Sequence, residues 1–575
     1  MLRIPYGESD FRTLIEGKYF YQDRTQFIER LEQWSSKYLV FLRPRRFGKS
    51  LFVSTLHHYY GLEYQADFQT LFGGLYIGRH PSPYANRYFV LSFEFSRIDT
   101  SSQERTYEGF LRNVISGARR FLGAYGSYYT EAQRQIIESG ESPEAVIGAI
   151  FDFTKQNGLP FKIYLLIDEY DHFANELLSF DLSRFQAHVG GNGFVRKFYE
   201  SLKTATRDGI VDRIFITGVS PVTLDSLTSG FNISDNISLN PIFHDLMGFT
   251  HEEVEALLET YEVPRGKIPG MMRDLKDWYD GYRFAHQARN RLFNPDMVLY
   301  FLKEYGIMAQ YPEAMLDTNV VTDYRKVRSL FQIGEDETAR YGLLEGLVEK
   351  GSIDFPLTRL YSLEGGFTQD DFLSLLFYMG MLSFKELSDI GWRFEIPNYV
   401  MKKLYFEYFT AIHLAKTQFA EAKRPIAQTI SALVSQGDPE PFFRIVEYVL
   451  AENHSNRDEL SYGEKHLQTL MIGLLFPYES YYIHSEYEAR KGYPDIYLER
   501  MPGRPVRYDI VLELKYVKKS ARHTLNDVIA QAETQLDEYM RSERFSRPDV
   551  LGFYVVFLGG EVYCWKQWGQ MGSSA

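Results

Sequence analysis

Gly48, Lys49 and Ser50 are the residues of this chain whose types and spacing most directly suggest chemistry. They close the stretch Arg43-Pro44-Arg45-Arg46-Phe47-Gly48-Lys49-Ser50, which has the second half of a phosphate-binding loop. In such a loop glycine lets backbone N–H groups wrap a phosphate, the lysine reaches the outer phosphates and the hydroxyl binds magnesium. Arg43 stands where the opening glycine is expected, so the loop reads either as a variant or as a decayed one. A second pair, Asp168-Glu169, follows the apolar run Ile163-Tyr164-Leu165-Leu166-Ile167. Asp168 suits a magnesium water shell and Glu169 suits polarising an attacking water, because phosphoryl transfer depends on positioning and charge stabilisation. A third apolar run ends at Thr217-Gly218-Val219-Ser220, where Thr217 and Ser220 read equally as sensors of the outer phosphate or as a polar strand end.

A separate constellation lies near the C-terminus. Asp495 precedes Ile496-Tyr497-Leu498, the turn chemistry of Pro502-Gly503-Arg504-Pro505 follows, and Glu513-Leu514-Lys515 lies in the next apolar run. This reads as a hairpin. If it is symmetric about Arg504, Asp495 falls opposite Glu513, and period-two alternation puts Glu513 and Lys515 on one face. Paired carboxylates repel unless a cation compensates them. Asp495, Glu513 and the carbonyl of Leu514 are hard oxygen ligands of the kind Mg²⁺ takes, and Lys515 suits orienting a water or stabilising developing negative charge. The chemistry is hydrolysis of a phosphodiester by a metal-activated water. Without the hairpin, a surface strand with a salt bridge explains the same residues.

These side chains need a scaffold to hold them. Tyr38-Leu39-Val40-Phe41-Leu42 reads as a buried parallel strand, and Leu51 to Tyr60 reads as a helix without Pro or Gly. Strand, loop, helix is the setting a phosphate loop requires, and the helix start aims its positive end at the anion. With Tyr88 to Phe95 as a further strand, residues 1–250 read as a parallel α/β sheet, and 251–440 as mostly helical. Gly437-Asp438-Pro439-Glu440-Pro441 is the clearest break before a last domain at 441–575. Aromatic residues, 16% of the chain, belong mainly to cores.

Length excludes a single small domain, and the lone Cys564 excludes an internal disulfide framework or a cysteine-rich zinc site. No run approaches the roughly 18 apolar residues of a membrane span, and Met1-Leu2-Arg3-Ile4-Pro5 lacks a signal-peptide core. A cytoplasmic protein without membrane contact is expected. The net charge of −13 excludes a general nucleic-acid coat, so any DNA contact requires a local basic surface.

The loop, Asp168-Glu169-Tyr170-Asp171, Trp278-Tyr279-Asp280-Gly281-Tyr282, Phe293-Asn294-Pro295, Tyr21-Gln22-Asp23-Arg24-Thr25 and Ile396-Pro397-Asn398 together resemble the bacterial AAA-ATPase-like proteins with a C-terminal PD-(D/E)XK nuclease domain. The likeness spans nearly the whole chain. It implies a P-loop NTPase core, a helical lid with a winged-helix-like module and a restriction-endonuclease-like α/β domain. It also implies that Arg43 is the family's own variant. Arg45 and Arg46 then either add charge near the phosphates or form a solvated loop face. The nucleotide set becomes Arg46, Phe47, Gly48, Lys49, Ser50, Leu51 and Asp168, with Ser50 and Asp168 toward Mg²⁺ and Glu169 toward water.

In the nuclease part the resemblance adds Glu464 as an acidic position and Gln535 with Tyr539 as a motif on one helix face. Gln468 stands where the family commonly has histidine, which puts any histidine role in doubt. Glu486 and Glu488 read as site carboxylates or solvated ones, and Lys518, Lys519 and Arg522 as phosphate contacts or a solvated face. His57, His58 and His172 read as surface or packing residues. Arg213 and Arg283 are candidate arginine fingers, each with a packing alternative, which leaves a homo-oligomer open.

The expected function is an ATPase coupled to Mg²⁺-dependent cleavage of nucleic acid, taken as DNA. The competing readings are a STAND-like signalling switch whose last domain binds nucleic acid or a partner without cutting, and an assembly or translocation motor with a scaffold domain.

Overall fold

The computed structural model describes residues 2–96, 98–174, 193–222, 233–317, 320, 342–344, 346–347, 350–361, 367–389, 391–415, 423–453, 463–476, 480–485, 494–501 and 506–569. The chain divides into two compact units: residues 1–309, 315–340 and 352–400 form one, and residues 310–314, 341–351 and 401–575 the other. None of the described helices is long and apolar enough to cross a membrane.

The first unit is built on short apolar runs that are buried on both faces, which is what a parallel strand covered by helices requires. β1 (Tyr38–Leu42), β2 (Tyr88–Glu94), β3 (Lys162–Asp168), β4 (Val211–Gly218) and β5 (Asp235–Asn236) form one parallel sheet in the order β2-β3-β4-β1-β5. The helices Lys49–Tyr60, Gln103–Tyr125, Pro143–Gln156 and Phe194–Arg207 are the crossovers. Aromatic rings fill the space between helices and sheet, as composition suggests: Phe95 stacks on Phe110 at 4.4 Å, and Phe89 meets Tyr125 edge-on at 4.8 Å. The outer edge of β2 is covered. Gly61 bridges Tyr88, the Tyr125 hydroxyl accepts the Val90 N–H at 3.0 Å, and Arg120 donates to the Ser92 carbonyl at 3.1 Å.

The helical part that follows includes His251–Thr260, Ile268–Tyr279 and Pro295–Met308, the last capped by Asn294, whose Oδ1 accepts the N–H groups of Asp296 and Met297. β6 (Ser352–Phe355), β7 (Ser383–Ser388) and β8 (Gly391–Glu395) form an antiparallel sheet in the order β6-β8-β7, beside the helix Gln369–Tyr378. Phe372 to Tyr378 are all buried, so this helix is a packing element and not one shaped to enter a nucleic-acid groove. Two of the distant motifs clasp each other here. Gly281 has φ 101°, and a Cβ at that position would lie 1.9 Å from the Pro397 carbonyl oxygen, while Asn398 donates to the Asp280 carbonyl at 2.8 Å.

The second unit carries a mixed sheet of β9 (Tyr481–Ser485), β10 (Ile496–Arg500), β11 (Asp509–Val517), β12 (Val550–Leu558) and β13 (Glu561–Gln567), ordered β13-β12-β11-β10-β9. Only β11 and β12 run parallel, and the helix Leu525–Met540 makes their crossover. Its Leu536, Tyr539 and Met540 pack with Val511, Val517, Tyr554 and Val556. The Gly437–Pro441 break joins the helices Lys423–Gln436 and Glu440–Asn453 of this unit.

Candidate functional sites

β1 delivers the chain to the loop, and the helix Lys49–Tyr60 begins directly after Gly48, whose φ of 93° favours glycine. No side chain caps that helix start, which leaves its N–H groups for an anion. Lys49 folds back so that Nζ donates to the carbonyls of Arg43 and Pro44, each at 3.0 Å. Burial lowers its pKa, opposed by Glu169, Asp168 and Asp171.

Arg43 shows why the opening glycine is missing. Its side chain turns into the core, donates to the carbonyls of Leu42, Ser238, Phe243 and His244, and lies over Phe41 and Phe284 at 4.2 and 4.5 Å. Burial pushes its pKa down to about 9. Phe47 likewise points inward, edge-on to Tyr282 and Phe284 at 5.1 and 5.3 Å. The side chains of Arg43 and Phe47 thus pin the loop from beneath. Arg46, at φ 66°, pairs with Asp296 at 2.8 Å.

β4 separates the phosphate-loop strand from the acidic strand, and it contributes Thr217, which donates to Asp168 Oδ1. The N–H of Glu169 reaches the same oxygen at 3.0 Å. Asp171 accepts from the N–H groups of Val219 and Ser220 and from the Ser220 hydroxyl, so Ser220 belongs to the strand end and not to a phosphate. Glu169 takes φ 50°, and burial raises its pKa against the pull of His172, Lys49 and Arg45. With Arg46 it is one of two non-glycine residues in left-handed backbone at this site, the kind of position that only a well-determined surrounding maintains. A cavity of about 450 Å³ opens here, lined among others by Arg46, Phe47, Gly48, Lys49, Ser50, Leu51, Glu169 and His172. Tyr21, Gln22, Met247 and Asp296 complete walls that spacing alone did not reveal.

His172 is thus a cavity residue and not a surface or packing one. Arg213, by contrast, sits under Tyr84 at 5.1 Å and donates to the Glu32 carbonyl, while Arg283 donates to the carbonyls of Phe384 and Lys385. Both are architectural within their own chain.

The hairpin of the second unit has the register its symmetry implies. Ile496 pairs with Leu512, Tyr497 with Val511 and Leu498 with Ile510, which carries on to Asp495 opposite Glu513. Glu486, Glu488 and the turn at 502–505 lie outside the described residues. Asp495 Oδ2 accepts the Leu514 N–H at 2.7 Å, so the carbonyl of Leu514 faces the same edge. Lys515 Nζ lies 2.6 Å from Glu513 Oε1 and 3.4 Å from Glu464 Oε1. Gln468 donates to the Asp495 carbonyl, which gives the residue in the histidine's place a holding role.

Glu513 is 1% exposed, and burial together with Asp495 pushes its pKa up to about 8. Burial works against the charge on Lys515, but Glu513, Glu464 and Asp495 more than offset it and its pKa is raised. Tyr539 is raised as well, by burial first and then by Glu513 and Asp495, which places it on this cluster. Glu513 Oε2 and Gln535 Oε1 are buried without a hydrogen-bond partner. Among the described residues no three His, Cys, Asp or Glu side chains group as a metal cage. Asp495, Glu513 and the Leu514 carbonyl are hard oxygen donors of the kind Mg²⁺ takes alongside several waters. Lys518, Lys519 and Arg522 are exposed just beyond β11, with Lys519 paired to Glu561 at 3.2 Å.

Residues 5–228 match the family model of a predicted AAA-ATPase, and residues 462–566 match that of the PD-(D/E)XK nuclease superfamily. An uncharacterized protein in the vnfD 5' region of Azotobacter chroococcum mcd 1 is 28% identical over 305 residues. That match covers 52% of each protein, so the chain spans about half the length of the curated relative it matches. A Walker-type ATPase of Pyrococcus abyssi aligns over 66% of this chain and 94% of its own, with 14% identity and a TM-score of 0.39. The chain thus joins an AAA-ATPase-like region to a C-terminal PD-(D/E)XK nuclease-superfamily region.

Proposed function

We propose that this protein hydrolyses ATP at the loop of the first unit and cleaves DNA at the carboxylate hairpin of the second, with nucleotide state governing access of DNA. The observation that carries the reading is Asp495 set opposite Glu513, with Lys515 in contact with the latter. Such a cluster of buried like charges is costly for folding and is useful at a phosphodiester.

At the first site the N–H groups from Gly48 to Leu51 and the Lys49 ammonium bind the phosphates. Glu169 orients a water whose oxygen bonds to the γ-phosphorus as the bond to the β-phosphate breaks, and ADP departs with that electron pair. Its raised pKa suits a group that takes a proton from water. At the second site Lys515 stabilises charge that develops on the phosphate while water replaces the ester oxygen. Mg²⁺, held by Ser50 and Asp168 at one site and by Asp495, Glu513 and the Leu514 carbonyl at the other, would neutralise phosphate charge and make a bound water more acidic. Glu464, Gln535 and Gln468 hold the neighbouring positions. We place the protein in the cytoplasm, acting alone or as a homo-oligomer.

The test is ATP turnover by the intact chain and by Lys49→Ala, with and without DNA, alongside Mg²⁺-dependent cleavage of linear and circular DNA by the intact chain and by Asp495→Ala. Turnover lost with Lys49 and cleavage lost with Asp495 support the reading. DNA binding without any cleavage by the intact chain makes the second unit a binding module of a signalling switch.

A further inference from the structure

His172 lies where two parts of the nucleotide site meet. Its Nδ1 is 3.4 Å from Arg45 Nη2 in the phosphate loop and 3.5 Å from Glu169 Oε2 at the end of the acidic strand. Both distances are at the outer limit of a hydrogen bond, so neither contact is fully made. One ring nitrogen cannot serve both neighbours. With a lone pair at Nδ1 it accepts from the guanidinium, and with a hydrogen there it donates to the carboxylate. Lys49 and Asp168 also act on Glu169, the first favouring its charge and the second opposing it.

We propose that His172 is a positioning residue that makes the placement of Glu169 depend on phosphate being in the loop. Arg45 stands in the turn of the phosphate loop and His172 at the start of a helical turn that follows the acidic strand, and both line the cavity. A bound polyphosphate competes for the Arg45 guanidinium, the stronger bidentate partner being the phosphate. With Arg45 drawn to the phosphates, Nδ1 carries hydrogen toward Glu169 and fixes the carboxylate that orients the attacking water. With the loop unliganded, Arg45 and Glu169 contend for the same atom and the carboxylate is held by neither. Glu169 is suited to this control because it lines the cavity on left-handed backbone, within reach of His172.

The inference rests on the ATPase reading, and side-chain shape supplies its test. Asn places a polar atom where Nδ1 is, whereas Gln places one where Nε2 is, and Phe supplies only the ring. Steady-state ATP hydrolysis by the intact chain and by the His172→Asn, His172→Gln and His172→Phe variants is the measurement, with nucleotide affinity followed by a fluorescent ATP analogue. The expected result is a kcat within about threefold of the parent for His172→Asn and about tenfold lower for the other two, with KM and analogue affinity unchanged. In the Arg45→Ala background the His172→Phe effect shrinks, since the two residues act through one atom. Equal kcat for Asn and Phe, or a change confined to KM, overturns the role of Nδ1 while leaving the ATPase intact. Analogue binding that survives Lys49→Ala undiminished, or no turnover by the parent chain, overturns the nucleotide reading and this inference together.

Discussion

A buried lysine in each site sets the two sites apart. Lys49 is held by backbone carbonyls of its own loop, and its pKa is lowered by burial; Lys515 is held by a carboxylate, and its pKa is raised by three of them. The first site is a frame of main-chain groups with Lys49, Arg45 and Arg46 around one cavity, an arrangement that suits an anion. The second is an excess of side-chain carboxylates around one lysine, an arrangement that in the proposed reading serves a metal and a phosphodiester. The frame therefore depends on loop geometry fixed from beneath, while the cluster depends on strand register. A loop can drift if its anchors are lost; a register either holds or slips by a whole residue.

The comparison can be broken first at the loop. Lys49→Ala is expected to lower ATP turnover by about 10²–10³-fold, the usual cost of removing a phosphate-directed donor, measured by phosphate release. DNA cleavage by the same variant falls too if nucleotide governs access. Lys515→Ala is expected to lower DNA cleavage by about 10²-fold in a plasmid-nicking assay while ATP turnover persists, which makes the dependence run one way.

Arg43→Gly, which restores the usual opening glycine, is expected to destabilise the first unit by about 2 kcal/mol, read as a lower denaturant midpoint, because four carbonyls lose their donor. A more active and equally stable variant contradicts the anchoring role. The smallest effect is the pH dependence of the cluster. Glu513 binds a proton below about pH 8, and a metal must displace it, so Mg²⁺ affinity by titration calorimetry is expected to rise between about pH 6 and 8, up to about tenfold per unit. Glu513→Gln weakens binding and flattens that slope. The sign for stability is opposite: a carboxyl whose folded pKa is raised keeps its proton while the unfolded one loses it, so its contribution falls as pH climbs toward 8.

The hairpin was legible because its chemistry is local. Symmetry about Arg504 and period-two alternation were enough to bring Asp495, Glu513 and Lys515 together. β1 and the helix after it were legible for the same reason, as uninterrupted apolar and Pro-free runs. The meaning of Arg43 was not, since the carbonyl of Ser238 that it bonds is 195 residues away. His172 looked idle because its partners are a loop residue 127 positions earlier and a carboxylate turned by unusual backbone. Lone polar residues show their use only after the sheet order β2-β3-β4-β1-β5 sets strand ends side by side, and that order is decided by packing across the whole first unit.

The covered edge of β2 has a consequence for how copies of this chain can meet. A sheet grows by strand addition only where successive outward backbone groups are free, and here Gly61 bridges Tyr88, the Tyr125 hydroxyl takes the Val90 N–H and Arg120 donates to the Ser92 carbonyl. Amyloid-like stacking and edge-to-edge dimers are thereby refused at that border. A contact between copies along β2 has to be made through side-chain surfaces, where a substitution can tune it without touching the sheet.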